Sequence, residues 1–149
     1  SSFAFENHDT GPPMDAMENL TSPQFDANGA CTNGWICQHR WRQIFNMVEF
    51  RNVVGSAAVT NWWDNGNNQI AFSRGNRGFV AFNLESFGMD QWLTTGLPAG
   101  VYCDVISGAR VGSTCTGRAF TVFADSRAQF TITSSDYDGV VAIHENSRI

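Results

Sequence analysis

From Val53 to the C-terminus the chain is cut into short β-forming runs by turn residues at close intervals, with almost no helical pattern between them. Such a segment can bury its apolar positions only by stacking sheets on one another. The runs are Thr60 to Trp63, Gln69 to Arg74 with Ile70 and Phe72 predicted inward, Phe79 to Asn83, a weaker one near Asp90 to Thr94, Val101 to Ile106, Arg118 to Phe123, Ala128 to Thr133, and Gly139 to His144. Asp64-Asn65-Gly66-Asn67 is a hairpin turn because Asn-Gly tolerates positive φ. Gly75 to Gly78 and Gly96-Leu97-Pro98-Ala99-Gly100 punctuate the later runs. Phe130 and Ile132 alternate with Gln129, Thr131 and Thr133, as one dry and one wet sheet face require. About eight short antiparallel strands predict a mainly β fold, a Greek-key sandwich or barrel.

The first third is organised differently. From about Glu6 to Gly34 there is little hydrophobic periodicity and three prolines, Pro12, Pro13 and Pro23, so it reads as one long loop. Loops of that length are uncommon inside a compact domain. A helix is predicted from about His39 to Asn52, with Trp41, Ile44, Phe45 and Val48 at the spacing of an amphipathic face. No second helical pattern follows, so this stripe either folds onto the β region or lies exposed.

At 149 residues the chain is one domain, or one domain with part of another, and 42% hydrophobic residues suffice for a core. Charged residues are only 15%, against roughly 25% in typical domains. There is no lysine, the nine basic residues are all arginine, and the net charge is -5. No basic patch is present to hold a phosphate backbone, so nucleic-acid partners are excluded. No apolar run is long enough for a membrane helix.

Cys31 with Cys37 and Cys103 with Cys115 form two close pairs, which suit two local disulfides in an oxidising compartment. Zinc sites favour shorter gaps with nearby histidine, so metal is the weaker reading. Each bridge would contribute about 2 to 3 kcal/mol by loop closure. Asn19-Leu20-Thr21 is an N-glycosylation sequon, meaningful if the chain is secreted. With no signal peptide or initiator Met, a secreted domain starting at Ser1 is expected to be a trimmed or separately produced piece.

The residues from Cys31 to Ile44, C-T-N-G-W-I-C-Q-H-R-W-R-Q-I, resemble the stretch before the last barrel helix of animal-type α-amylases. Asn61-Trp62-Trp63-Asp64-Asn65-Gly66, Gly75 to Phe79, Thr95 to Gly100, Tyr102 to Gly108 and Ala142-Ile143-His144 resemble the all-β C-terminal domain of that family. The similarity covers nearly the whole chain in the right order. Ser1-Ser2-Phe3 and Gly11-Pro12-Pro13 are similar to arthropod, including mite, digestive amylases. Gln38, Thr10 and the Arg148-Ile149 ending depart from the family pattern, none at a catalytic role.

The resemblance implies that residues 1–52 are the end of a (β/α)8 barrel, a loop and the last helix, and that 53–149 are the accessory β domain. It implies a secreted parent that cleaves internal α-1,4 bonds of starch and glycogen with retention, using calcium and chloride. The family's paired carboxylates, calcium ligands and chloride ligands come from earlier barrel strands, so this chain is expected to carry no catalytic and no metal residue and to be inactive alone. Its expected partners are the rest of the barrel, α-glucan, and antibodies if the parent is an allergen. A carbohydrate-binding β module is the alternative function.

Three sets of residues could carry chemistry of their own. Glu6-Asn7-His8-Asp9 looks like an acid/base set, but the run into Thr10-Gly11-Pro12-Pro13 marks it as a solvated loop. His39 and His144 could be ligands, though neither has a second ligand at metal spacing. Trp62 and Trp63 are candidate carbohydrate contacts, since sugars stack on exposed rings. Adjacent strand residues face opposite sides, so one is expected in the core and one outside, and aromatic burial weighs towards packing.

Overall fold

In the computed structural model of the chain, residues 11–149 are described, so the Glu6 to Asp9 segment lies outside them. The chain divides into two compact units, one running to Phe45 and the other from Asn46 to Ile149. The division falls inside the helix, four residues after its first turn begins.

In the first unit the stretch expected to be one long loop contains a small hairpin, β1 (Gln24–Phe25) paired with β2 (Cys31–Thr32). It closes because the Asp26 carboxylate accepts from the backbone N–H groups of Asn28 and Ala30, an Asx turn. The Trp35 indole N–H donates to the Thr21 carbonyl at 2.9 Å. The Cys31–Cys37 disulfide is formed, with a Cα–Cα distance of 5.8 Å. Arg40 donates to the Gly29 carbonyl and lies 4.2 Å from the Phe25 ring centroid, a cation–π contact over the hairpin.

The predicted helix is divided at its start. His39 sits in a 3-10 turn, Gln38–Arg40, and α1 proper spans Arg42–Val54. Cys37, held by its disulfide, is left-handed and Trp41 is extended, so regular α geometry begins only after Trp41. Trp41, Ile44, Phe45 and Val48 are all exposed, and the helix instead buries Asn46, Phe50 and Val54. Of the two outcomes open to the apolar stripe, exposure is the one observed.

In the second unit all strand pairs are antiparallel. A four-stranded sheet runs in the order β12 (Val140–His144), β5 (Gly78–Asn83), β4 (Gln69–Arg74), β3 (Val59–Asp64). Against it lie β11 (Arg127–Ile132) paired with β6 (Met89–Thr94), and β10 (Ala119–Val122) paired with β7 (Gly100–Cys103). The pairing is nested: β5 with β12, β6 with β11, β7 with β10. That is Greek-key connectivity, in which the chain goes out along three strands and returns beside them. A minor hairpin, β8 (Arg110–Val111) with β9 (Thr114–Cys115), lies in the loop closed by the Cys103–Cys115 disulfide.

The sandwich core holds Ala71, Phe79, Ala81, Met89, Leu93, Leu97, Tyr102, Phe130, Ile132, Val141 and Ile143, among others. Phe79 and Phe130 stack across it with centroids 4.5 Å apart. A second cluster covers the other face of the four-stranded sheet: Phe50 and Val54 of α1 with Val80, Ala142, Val105 and Ile106, flanked by Met47, Phe72 and Phe82. The sheet is therefore covered on both sides, which is why β5 reads Phe-Val-Ala-Phe without polar alternation. Gly78 is where the helix comes closest: a Cβ there would meet Val54 Cγ1 at 2.6 Å and the Phe50 ring at 2.9 Å.

This two-sided burial corrects one detail of the sequence reading. On β4 the residues facing the sandwich core are Gln69, Ala71 and Ser73, all buried, whereas Ile70 and Phe72 are half-buried on the helix-facing side. The smaller residues face in because the sandwich interior is already filled by the large rings of β5 and β11. Strand β7 also ends at Cys103 rather than Ile106, because the next residue, Asp104, captures the N–H groups of Ile106 and Ser107 and turns the chain.

Candidate functional site

Strand β3 is the edge of its sheet, and it carries a bulge between Thr60 and Trp63 where the register with β4 shifts. Asn61 takes a left-handed backbone, φ 51°, at that point. Bulges re-aim side chains. Here the result is that Trp63 is half-buried against the sandwich core while Trp62 is 57% exposed.

Both tryptophans are fixed from several sides. Trp62 stacks on Phe72, with centroids 5.7 Å apart and planes within 11°. Its indole N–H donates to Asp64 Oδ2 at 2.7 Å, so its rotamer is held and one ring face is left to solvent. Asn61 Nδ2 donates to Ser73 Oγ at 3.0 Å, and that hydroxyl in turn donates to the Thr94 carbonyl of β6. The serine thus ties the edge of one sheet to the edge of the other.

Across that tie, Trp92 of β6 is 47% exposed and packs on Phe123 with centroids 5.6 Å apart. Arg127, paired opposite Thr94 in the β6–β11 ladder, donates from Nη2 to the Trp92 carbonyl at 3.1 Å. Asn61, Trp62, Trp63, Trp92, Thr94 and Arg127 together line a shallow cleft of about 330 Å³ with Leu93 at its floor. That volume is at the lower end of the roughly 300 to 1,000 Å³ of small-molecule clefts. Trp92 is a further aromatic that the sequence offers beside Trp62 and Trp63, whereas Thr94 and Arg127 carry no signal of their own, because only the inter-sheet packing brings them to this rim.

The histidines are placed quite differently. His39 lines a shallow depression of about 300 Å³ in the first unit with Asn28, Gly29, Arg40 and Phe45. His144 is buried in the second, edge-on to Phe50 at 6.1 Å, and neither ring nitrogen has a hydrogen-bond partner among the described residues. Burial lowers its pKa against the opposing influence of Glu49 and Glu145. Among the described residues no three His, Cys, Asp or Glu side chains converge as metal donors. Asn19 is exposed, and its side-chain amide donates to Asp15 Oδ2 at 3.2 Å. Backbone and side-chain donation from Asn19 holds the Asp15 carboxyl below the usual carboxylate range.

One fully buried carboxylate has a structural role. Asp104, with no exposed surface, accepts from the N–H groups of Ile106, Ser107 and Ala142, from Ser107 Oγ, and from Arg118. Arg118 continues to Asp136 at 3.0 Å and to the Val140 carbonyl.

A family model for the C-terminal all-beta domain of alpha amylase matches residues 60–146. An Alpha-amylase-related protein of Drosophila mauritiana is 55% identical over 149 residues, 100% of this chain and 30% of that protein, and that of Drosophila melanogaster is 54% identical with the same coverage. This chain thus spans 30% of the length of these curated relatives. Among solved structures, wild-type alpha-amylase I from Eisenia fetida superposes with a TM-score of 0.79 and 39% identity, covering 96% of this chain and 31% of that one. A mutant of that alpha-amylase I, solved in a complex with maltohexaose, superposes equally well. The nested antiparallel sandwich, its sequence and its relatives agree, and the chain belongs to the α-amylase family, of which it carries the C-terminal all-β domain.

Proposed function

We propose that this chain is the C-terminal region of a secreted α-amylase-type glycoside hydrolase, which cleaves internal α-1,4 bonds of starch and glycogen through residues upstream of Ser1. The observation that carries the reading is that relatives 55% identical match all of this chain with only 30% of their own length. In this reading residues 1–52 close the catalytic barrel, residues 53–149 form the accessory β domain, and the exposed Trp41, Ile44 and Phe45 are where barrel elements pack. Two disulfides and a surface poor in charge support an extracellular setting.

Retaining hydrolysis needs two carboxyl groups about 5 to 5.5 Å apart, one as nucleophile and one as general acid. Our assignment places that pair, and the calcium and chloride sites implied by the family, outside this chain. The described residues offer no convergent donor set for calcium, so no step through a metal is assigned to them.

The test is reducing-end release from soluble starch by this chain and by the longer coding product that contains it. The longer protein should turn starch over and the 149-residue chain should not. Turnover by the chain alone above a buffer control, or none by the longer protein with calcium and chloride supplied, would overturn the reading.

A further inference from the structure

We propose that Asn33 is a site of spontaneous covalent modification: the backbone nitrogen of Gly34 attacks its side-chain amide, and position 33 becomes an aspartyl or isoaspartyl residue. Asparagine followed by glycine is the pair most open to this reaction, because no Cβ on the second residue obstructs the approach of its nitrogen. The chain holds three such pairs, Asn28-Gly29, Asn33-Gly34 and Asn65-Gly66, and all three asparagines are exposed. Hydrogen bonding, not exposure, separates them.

The step needs a nitrogen and a side-chain carbon that are able to meet. A base removes the glycine N–H proton, the nitrogen bonds to asparagine Cγ, and the side-chain nitrogen takes up a proton and leaves as ammonia. Water then opens the five-membered imide at either carbonyl, which gives the aspartyl or the isoaspartyl product. Base and water are the only co-reactants. An N–H already donated to an acceptor is harder to deprotonate and is aimed away from Cγ.

At Asn65 both partners are held. Gly66 donates its N–H to Asp64 Oδ1 at 2.9 Å, Asn65 Oδ1 accepts from the N–H groups of Asn67 and Gln69, and Asn65 Nδ2 donates to Glu85 at 3.2 Å. At Asn28 the nucleophile is held: Gly29 is half-buried and donates its N–H to the Asp26 carbonyl at 3.0 Å.

Asn33 is held least. Gly34 is exposed, and its N–H has no hydrogen-bond partner among the described residues. Asn33 Nδ2 makes one bond, 3.2 Å to the Ser22 carbonyl. Both residues are left-handed, φ 63° and 79°, in a tight turn closed by the Trp35 N–H on the Thr32 carbonyl at 3.3 Å, a long bond. Opening this turn sacrifices two weak bonds, whereas the Asn65 turn must give up the four just named. The product places a negative charge, and in the isoaspartyl form an extra main-chain carbon, inside the loop closed by Cys31 and Cys37.

The test is peptide mapping by mass spectrometry of the folded 149-residue chain during incubation at mildly alkaline pH. Conversion at residue 33 should outrun that at 28 and 65 by at least about tenfold, the rate factor produced by one net hydrogen bond of extra barrier. The isoaspartyl fraction is read independently as methyl groups transferred from S-adenosylmethionine by an isoaspartyl methyltransferase, and N33Q should remove the early acceptor. In the reduced, alkylated chain in urea the three pairs should convert at similar rates. D64A frees the Gly66 N–H and should speed conversion at 65 while leaving that at 33 unchanged. If D64A lowers the thermal midpoint, E85A, which releases the Asn65 amide, takes its place.

Conversion at 28 or 65 that matches residue 33 in the folded chain overturns the proposal. So does the same ordering in urea, which would assign the preference to sequence rather than to hydrogen bonding. An intact Asn33 in the folded chain after the denatured chain has converted, or no acceleration at 65 in the variants, also overturns it.

Discussion

Asn46 on α1 donates its side-chain amide to the backbone carbonyl of Val105 at 2.6 Å, joining residues 59 positions apart. The same amide reaches the Gly108 carbonyl at 3.3 Å, so one side chain satisfies two acceptors of the turn that follows β7. An asparagine only 6% exposed on the helix is thus the polar peg that fastens α1 to the turn after β7, beside the apolar contacts of Phe50 and Val54.

Removing the peg should be costly because the carbonyls it serves stay buried. Asn46→Ala is expected to destabilise the chain by about 1 to 3 kcal/mol, the cost of orphaned buried acceptors. Asn46→Asp should be worse, since it turns lone pairs towards those carbonyls. The exposed Asn52, one helix turn and a half away, is the control: Asn52→Ala should fall within about 0.5 kcal/mol of the parent. Urea unfolding midpoints of the three variants check this.

Asp104 and Arg118 make a second prediction. The carboxylate is fully buried and the guanidinium side chain is 30% exposed, 3.2 Å away. Arg118→Met leaves a buried charge still held by three backbone N–H groups and a serine, and should cost about 2 to 3 kcal/mol. Asp104→Ala should cost more, because those three N–H groups on two segments lose their acceptor together. Equal or smaller loss for Asp104→Ala in denaturant titration would contradict this account of the turn.

These two residues also mark how far local reading reaches. The strands from Gln69 to His144 were legible because their signals are local: period-two alternation as in Phe130 and Ile132, and Gly, Pro or Asn-Gly turns between runs. The Cys31–Cys37 and Cys103–Cys115 pairs were legible from spacing. Asp104 was not, since its role depends on Ala142, 38 residues on. The inward assignment of Ile70 and Phe72 failed because apolar character names a residue that can be buried but not which of two covered faces receives it. The helix teaches the same point in reverse: Trp41, Ile44, Phe45 and Val48 show apolar periodicity yet are exposed, while Asn46 is buried. Of the aromatic cleft, Trp62 and Trp63 stood out in sequence, but the bulge at Asn61 that turns them apart, and the approach of Trp92, are tertiary.

Asn19 should carry a glycan when the chain passes through a secretory pathway. It is exposed on a turn organised by Asp15, and the Thr21 hydroxyl completes the sequon while donating to the Pro13 carbonyl at 3.2 Å. Expression in a secreting eukaryotic host should give a mass increase that an endoglycosidase removes and that Asn19→Gln or Thr21→Ala abolishes. An unmodified mass for the secreted chain would refute the assignment.

His144 should make stability depend on pH just below neutrality. It is buried beside Phe50, with Glu49 on the helix and Glu145 on its own segment as the carboxylates that favour its protonated form, and Glu145 is itself paired with Arg77 at 2.6 Å. Burial outweighs the attraction of those carboxylates, so the folded-state pKa lies below the ordinary histidine value of 6.5. Well above pH 6.5 the ring is neutral in both states and the full stability is present. As pH falls below 6.5 the unfolded chain takes up the proton first, so stability declines until the folded-state pKa is passed. Unfolding midpoints in urea at pH 7.5, 6.5, 6.0 and 5.5 should therefore fall with pH for the unaltered chain. His144→Phe, which keeps a ring against Phe50 and removes the titration, should flatten that decline. His39→Phe, in the other unit, should leave it in place. The same slope in His144→Phe as in the unaltered chain would show that another group carries the effect.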